Sequence, residues 1–154
     1  MNIKVYALRG IMSFLRMYWH IWHPKTFGAK MVLKHPEDAT YVLLVRHTYR
    51  YRMMWSLPGG GYRPRHESSR DAAQREIAEE LGVSVHNMTY LTQYYTTAEG
   101  KRDTITVYEG TFSDTTHIQL SAEIAEIARI PYTKVEELES LSEIARQSIA
   151  EAYT

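Results

Sequence analysis

The chain has 154 residues, 18 Lys and Arg against 18 Asp and Glu, 44% hydrophobic and 23% charged, which is the size and make-up of one globular domain. The absence of cysteine excludes a disulfide framework and a thiolate metal site, and makes a reducing, cytoplasmic location the expectation. A formal net charge of zero argues against a long nucleic-acid groove, so no DNA partner is expected.

The charge is unevenly spread. Lys4, Arg9, Arg16, Lys25, Lys30 and Lys34 precede Pro36 without a single acid, leaving 12 cations against 18 acids in the rest. Residues 11–22 are the most apolar stretch, but Arg16 and His20 interrupt it and it falls short of the ~20 residues a membrane span needs. No uninterrupted apolar core leads to a small-residue cleavage site, so a secretory signal is not expected. Wound at about 100° per residue, Arg9, Ser13, Arg16, His20 and His23 share one face, opposite an apolar arc of Ile11, Phe14, Leu15, Tyr18, Trp19 and Trp22. Packing of that arc on the domain is the ordinary fate of such a helix. A homodimer contact through the helix, and contact with an anionic membrane surface, are the alternatives. Residues 1–26 thus read as a basic, aromatic, amphipathic helical segment and residues 27–154 as the domain proper.

Residues 29–33 and 41–46 are β-branched and aliphatic runs separated by His35-Pro36-Glu37-Asp38, which predicts two strands. Ser68 followed by Asp71 predicts a capped helix running to Leu81 and ended by Gly82. Residues 89–97 and 104–112 read as strands joined through Ala98-Glu99-Gly100-Lys101. Thr133 with Glu136 and Ser140 with Glu143 predict one short helix and a second ending near Tyr153. Hairpins together with a central helix point to an α+β protein with a mixed sheet flanked by helices.

The chemistry concentrates in Trp55-Ser-Leu-Pro-Gly-Gly-Gly61, Glu67 and the run from Arg75 to Val83. Glu76, Glu79 and Glu80 fall within roughly a 100° arc of one helix, where like charges repel, so a compensating cation is called for. Oxygen ligands without cysteine suit a hard ion, Mg²⁺ or Mn²⁺, that also takes waters and phosphate oxygens. The glycine triplet reads as leaving a strand for a loop whose backbone, Gly60 included, can approach a metal or ligand closely. Arg63 and Arg65 beyond it, and Arg46, Arg50 and Arg52 after an earlier strand, are candidate phosphate clamps. Tyr62, Trp55, Tyr94 and Tyr95 are candidates for stacking on a base, with a core position expected for Trp55. A glutamate-rich face alone is ordinarily solvated and a glycine triplet alone is a turn; their joint spacing is what carries information.

That spacing resembles the Nudix box, Gly-x5-Glu-x7-Arg-Glu-U-x-Glu-Glu-x-Gly-U with U aliphatic, at every defined position: Gly61, Glu67, Arg75, Glu76, Ile77, Glu79, Glu80, Gly82 and Val83. The looser resemblance spans about residues 28 to 140. It implies an α/β/α sandwich with a mixed sheet, here preceded by the amphipathic helix. It also implies metal-dependent hydrolysis of the pyrophosphate linkage in a nucleoside diphosphate derivative. On the same resemblance Glu76, Glu79 and Glu80, with Gly60, hold Mg²⁺ or Mn²⁺. Glu76, Glu123 or Glu126 helps deprotonate the attacking water, and Arg75 and Glu67 form an orienting ion pair. Arg46, Arg63, Arg65 and Tyr62 are the expected substrate contacts, and a small nucleotide is the expected partner.

Two departures stand out. The family's glycine immediately before Glu67 is replaced by His66, in Arg63-Pro64-Arg65-His66, so either His66 is strained or the loop reroutes. Ala98 stands about where ADP-ribose hydrolases carry a proline past the box, and Tyr94 and Tyr95 fall too early for the tyrosine of dinucleoside polyphosphate hydrolases. An active pyrophosphohydrolase is the primary expectation. A binding or regulatory module that docks a partner or membrane through its leading helix is the alternative.

Overall fold

The computed structural model describes residues 3–48, 53–112 and 118–154. In chain order they form α1 (Ile3–Trp22), β1 (Lys25–Lys34), β2 (Tyr41–His47), β3 (Gly59–Tyr62), α2 (Ser69–Leu81), β4 (Val85–Thr96), β5 (Arg102–Phe112), β6 (Ile124–Pro131) and α3 (Glu143–Ala152), with 3₁₀ turns at Ala98–Gly100 and Tyr132–Glu137. The strands make one six-stranded sheet in the order β4-β5-β1-β2-β6, with β3 paired to the first half of β1. The β1–β5 pair is parallel and the remaining pairs are antiparallel, so the sheet is mixed.

Side-chain alternation along the central strands builds two cores. Met31 and Leu33 of β1 and Leu43 and Val45 of β2 face one side, where Ala72, Ala73, Ile77 and Leu81 of α2 close over them. Val32, Val42 and Leu44 face the other, where Ala145 and Ile149 of α3 pack with Leu57, Val107 and Leu141. Ile77 and Leu81 are fully buried, each contributing roughly 1.5–3 kcal/mol to holding α2 against the sheet. The result is the expected helix–sheet–helix sandwich. Trp55 lies in the second core, as expected.

Helix α2 begins where its sequence says. The Ser68 side chain accepts from the Asp71 backbone N–H, and Gly82 closes the helix at φ 69°, donating to the Ala78 carbonyl. Helix α3 is capped differently from the expectation: Ser142, not Ser140, accepts from the Ala145 N–H. Ser140 itself takes φ +61° and its carbonyl receives the Trp55 N–H, so it belongs to the preceding turn. The Thr133–Glu136 signal marks only a 3₁₀ turn, entered from Pro131 with no side-chain cap.

Two strands depart from the sequence reading. The glycine triplet is itself strand β3, Gly60 opposite Ala29 and Gly61 opposite Gly28, rather than the start of a loop. Residues 124–131 form the edge strand β6, although Ile124, Ile127 and Ile130 recur with a helix-like spacing of three. Alternation lets β6 feed both cores, Ile127 on the α2 side and Ala128 and Ile130 on the other, and the register shift between Arg46 and His47 returns Ile124 to the α2 side.

Helix α1 lies on the body through Leu8, Met12, Leu15, Arg16 and Trp19, all half-buried, whereas most of the expected apolar arc points outward. Tyr6, Ile11, Phe14, Met17, Tyr18, Ile21 and Trp22 are exposed. Its seat is the β4–β5 turn. His23 Nδ1 lies 2.7 Å from the Gly100 carbonyl oxygen, Arg102 Nε donates to the His23 carbonyl at 3.1 Å, and Lys101 Nζ stands 4.4 Å over the Trp19 ring. No helix among the described residues is long and apolar enough to cross a membrane.

Candidate active site

Helix α2 projects its acids toward β3, and the segment entering β6 meets them. Gly60, Gly61, Glu76, Glu79, Glu80, Ser121 and Glu123 line a cleft of about 220 Å³. Arg75 is the hub of this side. It grips Glu67 through Nε (3.1 Å) and Nη2 (2.8 Å), and its Nη1 reaches Glu76 Oε1 at 2.7 Å and Glu79 Oε2 at 3.1 Å. The expected Arg75–Glu67 pair is therefore bidentate, the geometry in which a guanidinium orients a carboxylate best. Glu67 first, and then Glu76, raise the Arg75 guanidinium pKa above its usual range, against the pull of desolvation.

Glu80 is held otherwise. It is 3% exposed, its Oε1 lies 2.8 Å from His47 Nε2, and its Oε2 accepts from the Gly59 N–H at 2.9 Å. One buried carboxylate thus ties α2 to β2 and β3. His47 is the site residue that sequence reasoning missed. Its signal was parity: Leu43, Val45 and His47 occupy alternate positions of β2, so a histidine continues the inward row toward α2.

Burial pushes the Glu76 carboxyl above the ordinary value of 4.5, against the pull of Arg75. Burial raises Glu123 as well, with the Glu80 and Glu79 charges adding to it. Glu67 is shifted the other way, held low by the Arg75 hydrogen bonds. Among the described residues no three Asp, Glu or His are gathered as a ligand cage; Arg75 holds Glu76 and Glu79, and His47 and the Gly59 N–H hold Glu80. The donor set nevertheless fits a hard divalent cation: oxygen donors only, two carboxyls whose charge is unfavourable as they stand, and an open space in front of Glu76. That space exists because residue 60 is glycine. A Cβ there would lie 2.4 Å from Glu76 Oε2.

A larger cavity of about 780 Å³ adjoins the cleft across Gly60 and Gly61. Tyr62, Arg63, Arg65 and His66 line it with Phe27 and Ile105, and Met12, Arg16 and Trp19 of α1 cover it. The loop carrying Arg63 reroutes without strain: the His66 N–H returns to the Arg63 carbonyl at 2.9 Å, and His66 is not among the residues with positive φ. Arg46 lines neither space. Its Nη1 meets Glu126 Oε2 at 3.0 Å and its guanidinium stacks 4.2 Å over the Trp55 ring. Glu126 accordingly sits on the sheet surface outside the acid cleft, and Glu123 sits in it. Tyr95 is exposed on β4, while Tyr94 packs against the second core. Arg50 and Arg52 lie outside the described residues.

Comparison with known proteins agrees with the geometry. The Bacillus subtilis (strain 168) protein YtkD, named for 8-oxo-dGTP diphosphatase activity, is 35% identical over 75 residues, 49% of this chain and 38% of that protein. A MutT NUDIX hydrolase from Burkholderia pseudomallei superposes with a TM-score of 0.69 at 20% identity, covering 82% of this chain and 97% of its own. The NUDIX domain of Shewanella oneidensis NrtR, solved with ADP ribose, gives 0.70 at 21% identity over 84% and 86%. The NUDIX domain profile matches residues 24–152, nearly everything after α1. With the spaced glutamates, the sandwich and this match in agreement, the chain belongs to the NUDIX domain family.

Proposed function

We propose that the chain hydrolyses the pyrophosphate linkage of a nucleoside diphosphate derivative by attack of water at phosphorus. The observation that carries this reading is the convergence of Glu76, Glu79, Glu80 and Glu123 on one cleft that opens, across two glycines, into a cavity of nucleotide size with arginines on its wall. Glu76, Glu79 and Glu80, with the Gly60 carbonyl, are the groups to hold Mg²⁺ or Mn²⁺. Such an ion supplies charge neutralisation on the phosphoryl oxygens and an acidified water. Glu123 takes the proton of the attacking water: it lies in the cleft, it is not engaged by Arg75, and burial with the nearby Glu80 and Glu79 charges makes it a better proton acceptor than a free carboxylate. Arg63 and Arg65 steady the phosphate chain, and Arg75 with Glu67 fixes the orientation of Glu76 and Glu79. The bond from the attacked phosphorus to the bridging oxygen breaks, and the two products carry one phosphate end each.

The test is a panel of nucleotides with Mg²⁺ or Mn²⁺, scored for released nucleotide and phosphate. Modified purine triphosphates of the kind for which YtkD is named head the panel, with ADP-ribose and dinucleoside polyphosphates beside them. Glu79→Gln or Glu123→Gln is expected to lower kcat by about 100-fold or more with the fold retained. Wild-type rates in both would refute the assignment. A second reading, in which the fold binds a partner or an anionic membrane through α1, draws on the seven large apolar side chains exposed on that helix.

A further inference from the structure

Helix α1 lies outside the segment that matches the family, yet it closes the cavity beside the acid cleft. Met12, Arg16 and Trp19 follow at spacings of four and three, so they fall on one line of the helix, and all three are half-buried against the body. The seat of the helix is specific. A Cβ on Gly100 would lie 2.9 Å from the Cα of His20, so the helix backbone rests directly on the β4–β5 turn. Contact that close, together with the His23, Arg102 and Lys101 interactions, fixes which residues of α1 look into the cavity.

The chemistry of the cavity distinguishes its two ends. Beside Gly60 and Gly61 it borders carboxylates and carries Arg63 and Arg65, which suits phosphates. Under α1 it is bounded by Met12, Trp19 and Ile105, an apolar and aromatic patch with Arg16 beside it, while Phe27 and Tyr62 line it from the α2 face of the sheet. Its acid, Asp103, is engaged by Thr26 Oγ1 at 2.9 Å and by Lys101 at 3.4 Å. A flat heterocycle linked to phosphate fits both ends, since any base offers a π face to an aromatic side chain and its acceptor edge to an arginine.

We infer that α1 is the roof of the nucleoside end of the substrate site, with Trp19 covering the base and Arg16 donating to the base's acceptor edge. The choice of ligand class rests on the hydrolytic reading above; the placement of the helix does not. The leading helix is therefore a selectivity element added to the shared fold.

Equilibrium binding to the full-length chain tests this without turnover. The ligands are GMP, AMP and ribose 5-phosphate, the last lacking a base, measured by calorimetry against wild type, Trp19→Ala, Trp19→Phe, Arg16→Gln and Phe14→Ala. Trp19→Ala should weaken GMP and AMP by roughly 5- to 150-fold, the range for loss of one base–aromatic stack, while leaving ribose 5-phosphate unchanged. Trp19→Phe should recover most of that loss. Arg16→Gln should weaken GMP more than AMP, because guanine presents two acceptors where adenine presents one. Phe14 is exposed on the outward face, and its substitution should change none of the three constants. Equal weakening of all three ligands in Trp19→Ala would mean that the helix acts on the fold and not on the base, and would overturn the inference. So would wild-type affinity for GMP in both Trp19→Ala and Arg16→Gln, or a wild type that binds neither mononucleotide. Base-dependent binding in a chain that hydrolyses nothing on the panel would sink the hydrolytic reading and leave this one standing.

Discussion

Arg75 and His47 divide the acids between them, and their loss should read out differently. His47 supports a carboxylate that is otherwise sealed from water, so His47→Ala leaves a buried acceptor short of a partner. The expected cost is about 2 kcal/mol, seen as a lower urea midpoint at unchanged slope. The titrating acids pull stability in opposite directions. Glu67 is lowered in the folded state, so its contribution is present above the ordinary value of 4.5 and is lost as pH falls through the lowered one. Glu76 and Glu123 are raised, so each costs nothing below 4.5 and destabilises as pH climbs from there through its raised value. Metal-free Glu76→Gln or Glu123→Gln should then melt higher than wild type at neutral pH, and Glu67→Gln should lose part of the acid-side dependence; melts from pH 3 to 8 decide it. The glutamates and Arg75 were legible because their spacing is fixed within one helix. His47 was not, since what gives it meaning is a partner 33 residues away across the sandwich.

Secondary-structure elements were legible where side chains alternate or caps announce them, as in β1, β2 and α2. Strand β3 was invisible because three of its four residues have no side chain to alternate, and β6 because isoleucines three apart imitate a helix. The same lack of side chains makes β3 useful. Gly60→Ala would place a methyl against the Glu76 carboxylate, a flexible group that can swing aside, so the sheet should survive while Glu76 is displaced. The expected result is a melting temperature within a few degrees of wild type and kcat down by about 100-fold. A variant with wild-type kcat would remove Gly60 from the site.

Across the whole molecule, sheet order explains why the acids of α2 and the walls of the cavity share a border. The parallel pairing of β5 with β1 sets Ile105 opposite Gly28, and β3 crosses beside them carrying the two glycines common to both spaces. The sandwich itself could be anticipated from the order of strands and helices. The outward turn of the apolar arc of α1 could not, because the faces of an isolated helix do not say which of them a neighbouring turn will accept. That turn is tipped by Gly100, at φ +78° and with no room for a side chain beneath His20. One added methyl there would act as a shim, tilting twenty residues of roof from a hinge that touches no ligand. Gly100→Ala should therefore make the protein less choosy among bases while sparing the rate constant for bond cleavage, with discrimination between GMP and ribose 5-phosphate as its gauge. On the inferred roof, base preference would drift through changes at a hairpin tip, out of sight of any comparison confined to the residues that line the cavity.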